Sequence, residues 1–229
     1  MPKKTVALTE EQLKILIDNF QYQSYHCYAN WLLIVRFLVL TGYRFGEMAG
    51  LRWSDIDWNQ NIIHLQRTLH THDSGGKEPY FTTPKTKNSI RNTPISQQIK
   101  DILLESKNLQ MQWSREYPQA WESQRPIDKD LVFTTRYGSH MKNSSFNDVL
   151  RRVIPRVNQN LPEEQQLPQI TAHSFRDTFA SLCYSSAVPL KEVQELMGHQ
   201  EESMTLYYTQ VSQKTLNNRV QEFHDTLDI

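Results

Sequence analysis

Three stretches of the sequence carry residues able to bind an oxyanion or move a proton beside one. In TGYRFGE, Arg44 stands between a helix-ending glycine and a further helix, and Glu47 follows one turn later. An arginine so placed can direct its planar fork at a phosphate or carboxylate. Taken alone, this stretch is explained more simply by a surface ion pair of Arg44 with Glu47.

The second and third stretches add a lysine and a His-x-x-Arg pair. Lys85 lies in TPKTKNSIRNTPI, in a predicted turn between strands, where it could protonate a leaving oxygen or be an ordinary solvated lysine. In TAHSFRDTFAS, His173 and Arg176 are spaced to share one helical face. We expect both at the exposed N-terminal end of that helix, where the dipole favours an anion.

A fourth stretch, LMGHQEESMTLYYTQV, contains a possible nucleophile. Gly198 is predicted to cap a short helix, and His199 opens the turn that follows. Tyr207 and Tyr208 come next, and adjacent tyrosines are most often packing residues. Without a further argument, neither tyrosine is distinguished from the other.

The elements that must position these residues are mostly helices. LTEEQL fits a capping box with Thr9 as N-cap and Gln12 reaching back. WLLIVRFLVLTG is apolar nearly all round, which predicts a central core helix ended by Gly42. Later helices are predicted at Ser96 to about Trp113, Asn143–Asn158, Ser174–Ser185, Leu190–Met197, Ser203–Val211 and Thr215–Leu227.

Between Asn59 and Ile95 the pattern changes to strands. β-Branched and aromatic residues with the turn HDSGGK predict a small antiparallel sheet of two or three strands. Tyr117 to Asp130 is predicted to be a loop, and LVFTT a short strand. The fold class is therefore mainly α (α+β), a helical domain with a small antiparallel β insert.

Composition sets limits on the class of protein. The 229 residues suit a single domain, and two cysteines without paired spacing exclude a disulfide framework. The N-terminus lacks the apolar core of a secretory signal, and the longest apolar run is too short to cross a bilayer. A cytoplasmic protein is the expectation.

The charges, 25 basic against 25 acidic residues, balance overall but not locally. Basic residues dominate from Lys85 to Lys100 and from Leu131 to Arg156. Such segments either face phosphates or form an ordinary solvated surface. As candidate DNA contacts we select Lys87, Arg91, Arg136, Lys142, Arg151 and Arg152.

Together, the motifs resemble those of the tyrosine recombinases, also called the phage integrase family. Arg in TGYRFGE, Lys in PKTKNSIR, the HSFR pair, the LMGH pair and Tyr in YYTQ follow one another in that family's order. LTEEQLKIL also looks like the usual start of its catalytic domain. The resemblance runs from about Leu8 to Val211.

The resemblance implies a catalytic set of six residues: Arg44, Lys85, His173, Arg176, His199 and Tyr208. The two arginines and His199 would grip the non-bridging oxygens of a scissile DNA phosphate. Tyr208 would attack phosphorus to give a 3′-phosphotyrosine, Lys85 would protonate the departing 5′-oxygen, and His173 would accept the tyrosine proton. Glu47 matches the family's acidic supporting position, and Tyr207 keeps a packing role.

The same resemblance implies partners and a setting. It points to integration or excision of a phage or other mobile element, without metal, cofactor or ATP, in a bacterial cytoplasm at the nucleoid. The partners would be double-stranded DNA with a specific recombination site, other copies of the chain in a tetramer, and DNA-bending accessory proteins.

Domain limits follow from the family too. We expect residues 1–229 to be the catalytic domain, with a tail helix at about 213–228 and the family's N-terminal DNA-clamping domain absent from this chain. That tail helix, with Leu216, Val220, Phe223 and Leu227 on one stripe, would pack either on its own domain or on a neighbouring copy.

Other functions remain open on the sequence. A non-catalytic DNA-binding regulator derived from a recombinase, or a type IB topoisomerase-like enzyme, would show similar motifs. Filled catalytic positions argue against the regulator. His70 and His72, with His64 nearby, could in principle hold a metal, but no cysteine or acidic cluster completes such a site, so we predict none.

Overall fold

A computed structural model describes residues 6–22, 29–71, 78–83, 90–186, 188–198 and 213–227. Within these ranges the helices are α1 (Glu10–Tyr22), α2 (Ala29–Thr41), α3 (Phe45–Ala49), α4 (Gln97–Glu116), α5 (Pro118–Glu122), α6 (Asn143–Asn158), α7 (Ala172–Ser185), α8 (Leu190–Met197) and α9 (Gln213–Thr226). The strands are β1 (Ile56–Asp57), β2 (Ile62–Leu65), β3 (Thr68–His70), β4 (Tyr80–Thr82) and β5 (Arg91–Pro94).

Helix α2 forms the centre of the core, as its all-round apolar sequence predicts. Its residues from Leu33 to Leu40 are buried apart from Arg36, and it packs against α1, α4 and α7. The chain then turns sharply at Gly42, whose φ of +63° lies in the left-handed region. An added Cβ there would lie 2.4 Å from the buried ring of Phe179, so both backbone and space require glycine.

The predicted capping box begins α1. The Thr9 amide donates to Oε1 of Gln12, and the Gln12 amide donates to Oγ1 of Thr9, each over 3.1 Å. Just before it, the amide of buried Leu8 donates to Thr178 of α7. The start of the domain is thereby fastened to the helix that carries His173 and Arg176.

In the described residues from 56 to 94, five strands form two separate antiparallel sheets, where we expected one sheet of two or three strands. β1, β2 and β5 form one sheet, with Ile63 opposite Thr93, while β3 and β4 form a hairpin. The hairpin lies on α3, because Gly46 and Gly50 have no side chain to hold β3 away. A Cβ on Gly46 would lie 2.7 Å from the carbonyl oxygen of Leu69.

The limits of the other helices and strands agree with the sequence-based predictions in some places and differ in others. Helices α6 and α8 have the predicted limits, whereas the predicted loop from Tyr117 to Asp130 contains α5. LVFTT was predicted as a strand, but makes only isolated bridges, from Leu131 to Arg52 and from Thr134 to His140. The helix predicted at Ser203–Val211 lies outside the described residues.

The tail helix α9 packs on its own domain. Val220, Phe223 and Leu227 of the predicted stripe are buried. Nε2 of the fully buried His224 donates to the Leu40 carbonyl, which leaves Nδ1 to accept from the hydroxyl of Ser96, the N-cap residue of α4. Burial lowers the pKa of His224 to about 4.

In the helices that the structure describes, none combines the length and apolarity of a bilayer span.

Candidate active site

Arg44 and Glu47 form a rigid unit at the start of α3. Arg44 is the N-cap residue, and its amide donates to Oε2 of Glu47 over 2.9 Å. Its guanidinium Nη1 donates to Oε1 of the same carboxylate over 2.7 Å. Glu47 is buried, while the Arg44 side chain keeps 44% of its surface exposed. Glu47 thus fixes one nitrogen of the Arg44 guanidinium, while the exposed part of the side chain is accessible to a ligand.

Arg91 reaches the same carboxylate from β5. Its Nη2 lies 2.9 Å from Oε2 of Glu47, and the side chain is buried. We predicted Arg91 as a DNA contact, but in this structure its side chain is buried and its guanidinium faces inward to Glu47. Burial opposes ionisation of Glu47, but Arg91 and Arg44 nevertheless hold the pKa of its carboxyl below the usual range.

Arg176 is almost completely buried, at 1% exposure, where we expected an exposed helix end. It shares a stripe of α7 with Phe179 and Cys183, at helical spacings of three and seven, and that stripe faces the core. Nη1 donates to the Gly42 carbonyl over 2.6 Å, and Nη2 donates to the Met197 carbonyl. Arg176 therefore places a charge near the site and also joins the turn after α2 to the C-terminal end of α8.

The two residues that Arg176 contacts stand next to sequence motifs. Gly42 precedes Arg44 by two residues, and Met197 precedes His199 by two. As predicted, Gly198 caps α8 with left-handed φ and ψ of 63° and 42°. Burial, followed by the nearby charge of Arg44, lowers the pKa of Arg176 to about 10. An anion bound to both guanidinium groups would offset the repulsion between their like charges.

His173 lies in the first turn of α7, one turn before Arg176. Its side chain is 61% exposed, and Nε2 lies 3.7 Å from Oδ1 of Asp177. The helix start is fixed by Asn147 of α6, whose Oδ1 accepts from the amide of Ala172 over 2.9 Å. Asn147 was not among the predicted site residues, because only the tertiary packing of α6 on α7 gives it this role.

Four predicted residues, Lys85, Lys87, His199 and Tyr208, lie outside the described residues. Their flanking elements are described. Lys85 and Lys87 belong to the segment that joins β4 to β5, and His199 directly follows Gly198, the cap of α8. The structure thus brings together Arg44, Glu47 and Arg176, places His173 one turn away, and leaves the lysine and tyrosine as predictions.

The remaining predicted DNA contacts are exposed side chains: Arg136, Lys142, Arg151 and Arg152. Arg136 stacks against the rings of Tyr117 and Tyr137, and Arg151 pairs with Asp148 one turn away. Lys142 is the N-cap of α6. The first half of that helix also contains Asn147, which contacts the start of α7. These positions are compatible with contact to phosphates.

The rings of His64 and His70, the possible metal ligands in this region, have other partners. Each ring is instead hydrogen bonded across its own strand pair, His64 to Asn92 and His70 to Thr82. Over the described ranges, no three His, Cys, Asp or Glu side chains are grouped as metal ligands would be. His72 lies outside those ranges.

Comparison with known sequences identifies relatives. A family model described as the phage integrase family matches residues 7–215. A tyrosine recombinase XerC-like protein of Caldanaerobacter subterraneus subsp. tengcongensis is 32% identical over 192 residues, 81% of this chain and 46% of the relative. The integrase of Staphylococcus phage L54a is 30% identical over 202 residues, 86% of this chain and 51% of the relative. The chain spans about half the length of these relatives.

Solved structures share the fold. The integrase of transposon Tn1549, in complex with transposon right-end DNA, superimposes with a TM-score of 0.72 at 21% identity, over 96% of this chain and 66% of that one. A lambda integrase tetramer bound to a Holliday junction gives 0.54 at 15% identity, over 87% of this chain and 46% of that one. The predicted fold class, a helical domain with small antiparallel sheets, is confirmed.

Proposed function

We propose that this chain, which belongs to the phage integrase family of tyrosine recombinases, cleaves and rejoins DNA strands at a specific recombination site through a 3′-phosphotyrosyl intermediate. Family membership confirms the resemblance drawn from the motifs. The reaction would serve the integration or excision of a phage or other mobile element, as the names of several relatives suggest for those proteins.

The observation that carries this proposal is the pairing of Arg44 with Arg176. One is exposed and held by a buried carboxylate, and the other is buried and held by two carbonyls. The two carbonyls that Arg176 contacts, those of Gly42 and Met197, belong to residues two positions before Arg44 and His199 in the sequence. Two fixed guanidinium groups suit the non-bridging oxygens of a phosphodiester, whose negative charge increases in the transition state.

The proposed chemistry is a transesterification. The Tyr208 oxygen attacks phosphorus and forms a bond to it, while the bond from phosphorus to the 5′-oxygen breaks. His173 accepts the tyrosine proton, and Lys85 donates a proton to the departing oxygen. Arg44, Arg176 and His199 stabilise the charge on the phosphoryl oxygens. Because a phosphodiester is retained, the reverse attack by a 5′-hydroxyl rejoins DNA without a new source of energy.

Described geometry supports the assignment of His173. Its ring is exposed at the start of α7, and Arg176 follows one turn later on the same helix. A base at that point could reach a tyrosine brought to the phosphate that the arginines bind. Asp177, with Oδ1 3.7 Å from Nε2 of His173, lies on the same face of α7 one turn further on.

The partners we propose follow from the substrate. Double-stranded DNA with a specific site would meet the exposed basic residues, whose phosphate contacts release counterions. Copies of the chain would assemble as a tetramer on that DNA, the state named for the lambda integrase structure. DNA-bending accessory proteins would complete the complex in the cytoplasm of a bacterial host, at the nucleoid.

Covalent capture tests the proposal. The substrate is a pool of nicked duplexes of randomised sequence, each with one 5′-bridging phosphorothiolate, whose thiol product rejoins poorly and so traps the adduct. We expect a denaturation-resistant protein–DNA adduct from the unaltered chain. Tyr208→Phe should abolish the adduct, and the matched control Tyr207→Phe should retain it.

Two other results would count against the proposal in different ways. An adduct that persists in Tyr208→Phe would show that another residue is the nucleophile. DNA binding by the unaltered chain, without adduct from any sequence in the pool, would favour the non-catalytic regulator.

A further inference from the structure

Arg91 is the most deeply anchored arginine outside the six-residue catalytic set in the described part of the chain. It is buried, with both terminal nitrogens directed at Glu47, Nη2 to Oε2 over 2.9 Å and Nη1 to Oε1 over 3.5 Å. A side chain so placed cannot reach a DNA phosphate without leaving its partner. Its role must therefore pass through Glu47.

The Glu47 carboxylate accepts hydrogen bonds from two arginines. Each of its carboxylate oxygens accepts one hydrogen bond from Arg44 and one from Arg91. All four donors are used to fix one buried anion, and this leaves little freedom for the carboxylate to rotate. The orientation of the exposed Arg44 fork is thus set by where Arg91 holds Glu47.

A second set of contacts ties Arg91 to the loop before Arg44. The guanidinium of Arg91 lies over the ring of Tyr43, 4.8 Å from its centre. The Tyr43 hydroxyl donates to Oγ1 of Thr93 over 2.7 Å, on the same strand as Arg91. Strand β5 therefore contacts both Tyr43, the residue before Arg44, and the carboxylate of Glu47.

We propose that Arg91 is a positioning residue for DNA cleavage, one that orients Arg44 through Glu47 and does not itself contact DNA. The inference rests on the proposed function. Without Arg91, the buried carboxylate would lose its most fully buried partner, and the Arg44 fork would sample other directions. A displacement of about 1 Å in a group that must meet a transition state can cost about 100-fold in rate.

The test compares rate with affinity. The probe is a phosphorothiolate duplex of a sequence recovered from the randomised pool, and single-turnover cleavage is measured at saturating DNA. We expect Arg91→Met to cleave about 10- to 100-fold more slowly, with the affinity and its salt dependence unchanged. Arg91→Lys, which keeps the charge but not the fork, should be slowed less.

A matched control is Arg151→Met, an exposed arginine of α6. It should weaken DNA binding and reduce the slope of log affinity against log salt by about one, as the loss of a phosphate contact does. A slope reduced by Arg91→Met in the same way would overturn the proposal, because Arg91 would then contact DNA directly. An unaltered cleavage rate in Arg91→Met would also overturn it.

A double-variant cycle separates positioning from a general loss of structure. If Arg91 acts through Glu47, adding Arg91→Met to Glu47→Gln should slow cleavage no further. An equal slowing in both backgrounds would show that the two residues act independently and would refute the proposal. Arg91→Met alone leaves the buried Glu47 carboxylate without this partner and could therefore fail to fold. In that case the double variant, in which Glu47→Gln removes the carboxylate charge, and Arg91→Lys provide the test of the proposal. Failure of the unaltered chain to form an adduct would instead count against the proposed function.

Discussion

The arginines of the candidate active site and those on α6 have the same chemistry but different surroundings. Arg176 and Arg91 are buried, and Arg44 is fixed by two bonds to a buried carboxylate. Arg151 and Arg152 are exposed on a helix whose other face packs on the core. Burial and defined partners are what a catalytic charge needs, whereas exposure suffices for general attraction to DNA.

The difference teaches how a chain with no net charge could act on DNA. Close to the site, three guanidinium groups stand near two carboxylates, Glu47 and Asp177, so positive charge is in excess where a phosphate would bind. Further away, exposed basic side chains act at longer range. Local arrangement, and not the overall balance, determines the electrostatics of binding.

The largest effect is expected from the two site arginines, and they should differ from each other. Arg176→Met and Arg44→Met should each slow cleavage by about 100- to 1000-fold, the usual cost of one lost transition-state donor. Arg176→Met should also lower the free energy of unfolding by about 2–4 kcal/mol, more than Arg44→Met does, since it leaves two carbonyls, those of Gly42 and Met197, without their donor. Single-turnover cleavage and urea denaturation measure the two quantities.

An Arg176→Met variant as stable as the unaltered chain would break the comparison. It would mean that the bonds of Arg176 to the Gly42 and Met197 carbonyls contribute nothing to the folded state. Arg176 would then be positioned by something other than the contacts described.

A smaller effect is expected from two glycines that both have a positive φ. Gly42 and Gly138 have φ of +63° and +75°, so alanine costs about 1–2 kcal/mol at either. At Gly42 the new Cβ would also meet the buried ring of Phe179, while at Gly138 the nearest atom belongs to the Gln124 side-chain amide. We therefore expect Gly42→Ala to lose about 2 kcal/mol more than Gly138→Ala in thermal or urea unfolding.

The reverse order of stabilities, or equality, would show that the loop before Arg44 can shift without cost. The rigid attachment of Arg44 would then have to come from Glu47 alone. Cleavage rates of Gly42→Ala would show whether that attachment suffices.

The smallest effects are expected on α6. Arg152→Met should weaken DNA binding modestly and lower the salt slope by about one, with no loss of thermal stability, because its side chain is exposed. Binding titrations at several salt concentrations measure this. A slope equal to that of the unaltered chain would remove this side chain from the DNA-facing surface.

Local pattern predicted the helices well, because caps and apolar spacing are properties of short segments. The limits of α6 and α8 follow from sequence, as does the Thr9 capping box. The separate β3–β4 hairpin could not be predicted, because it depends on Gly46 and Gly50 providing space for a strand distant in sequence. LVFTT has strand-like residues, but its partners offer only isolated bridges.

For the site, residue types were predictable but burial was not. The spacing of Arg176 to Phe179 and Cys183 indicates a core-facing position, but an arginine there is read first as exposed, since buried charges are rare. Arg91 was predicted as a DNA contact because it lies in a basic segment, and only the fold shows that its guanidinium pairs with Glu47 of α3. Asn147 has no local signal at all.

The central claim is that these arginines serve a phosphate attacked by Tyr208. It is tested most directly by tandem mass spectrometry of the DNA-linked peptide from the phosphorothiolate reaction. Trypsin should release residues 192–214, which contain both adjacent tyrosines. The account predicts that the nucleotide remnant is on Tyr208. A remnant on Tyr207, or on a peptide elsewhere in the chain, would contradict it.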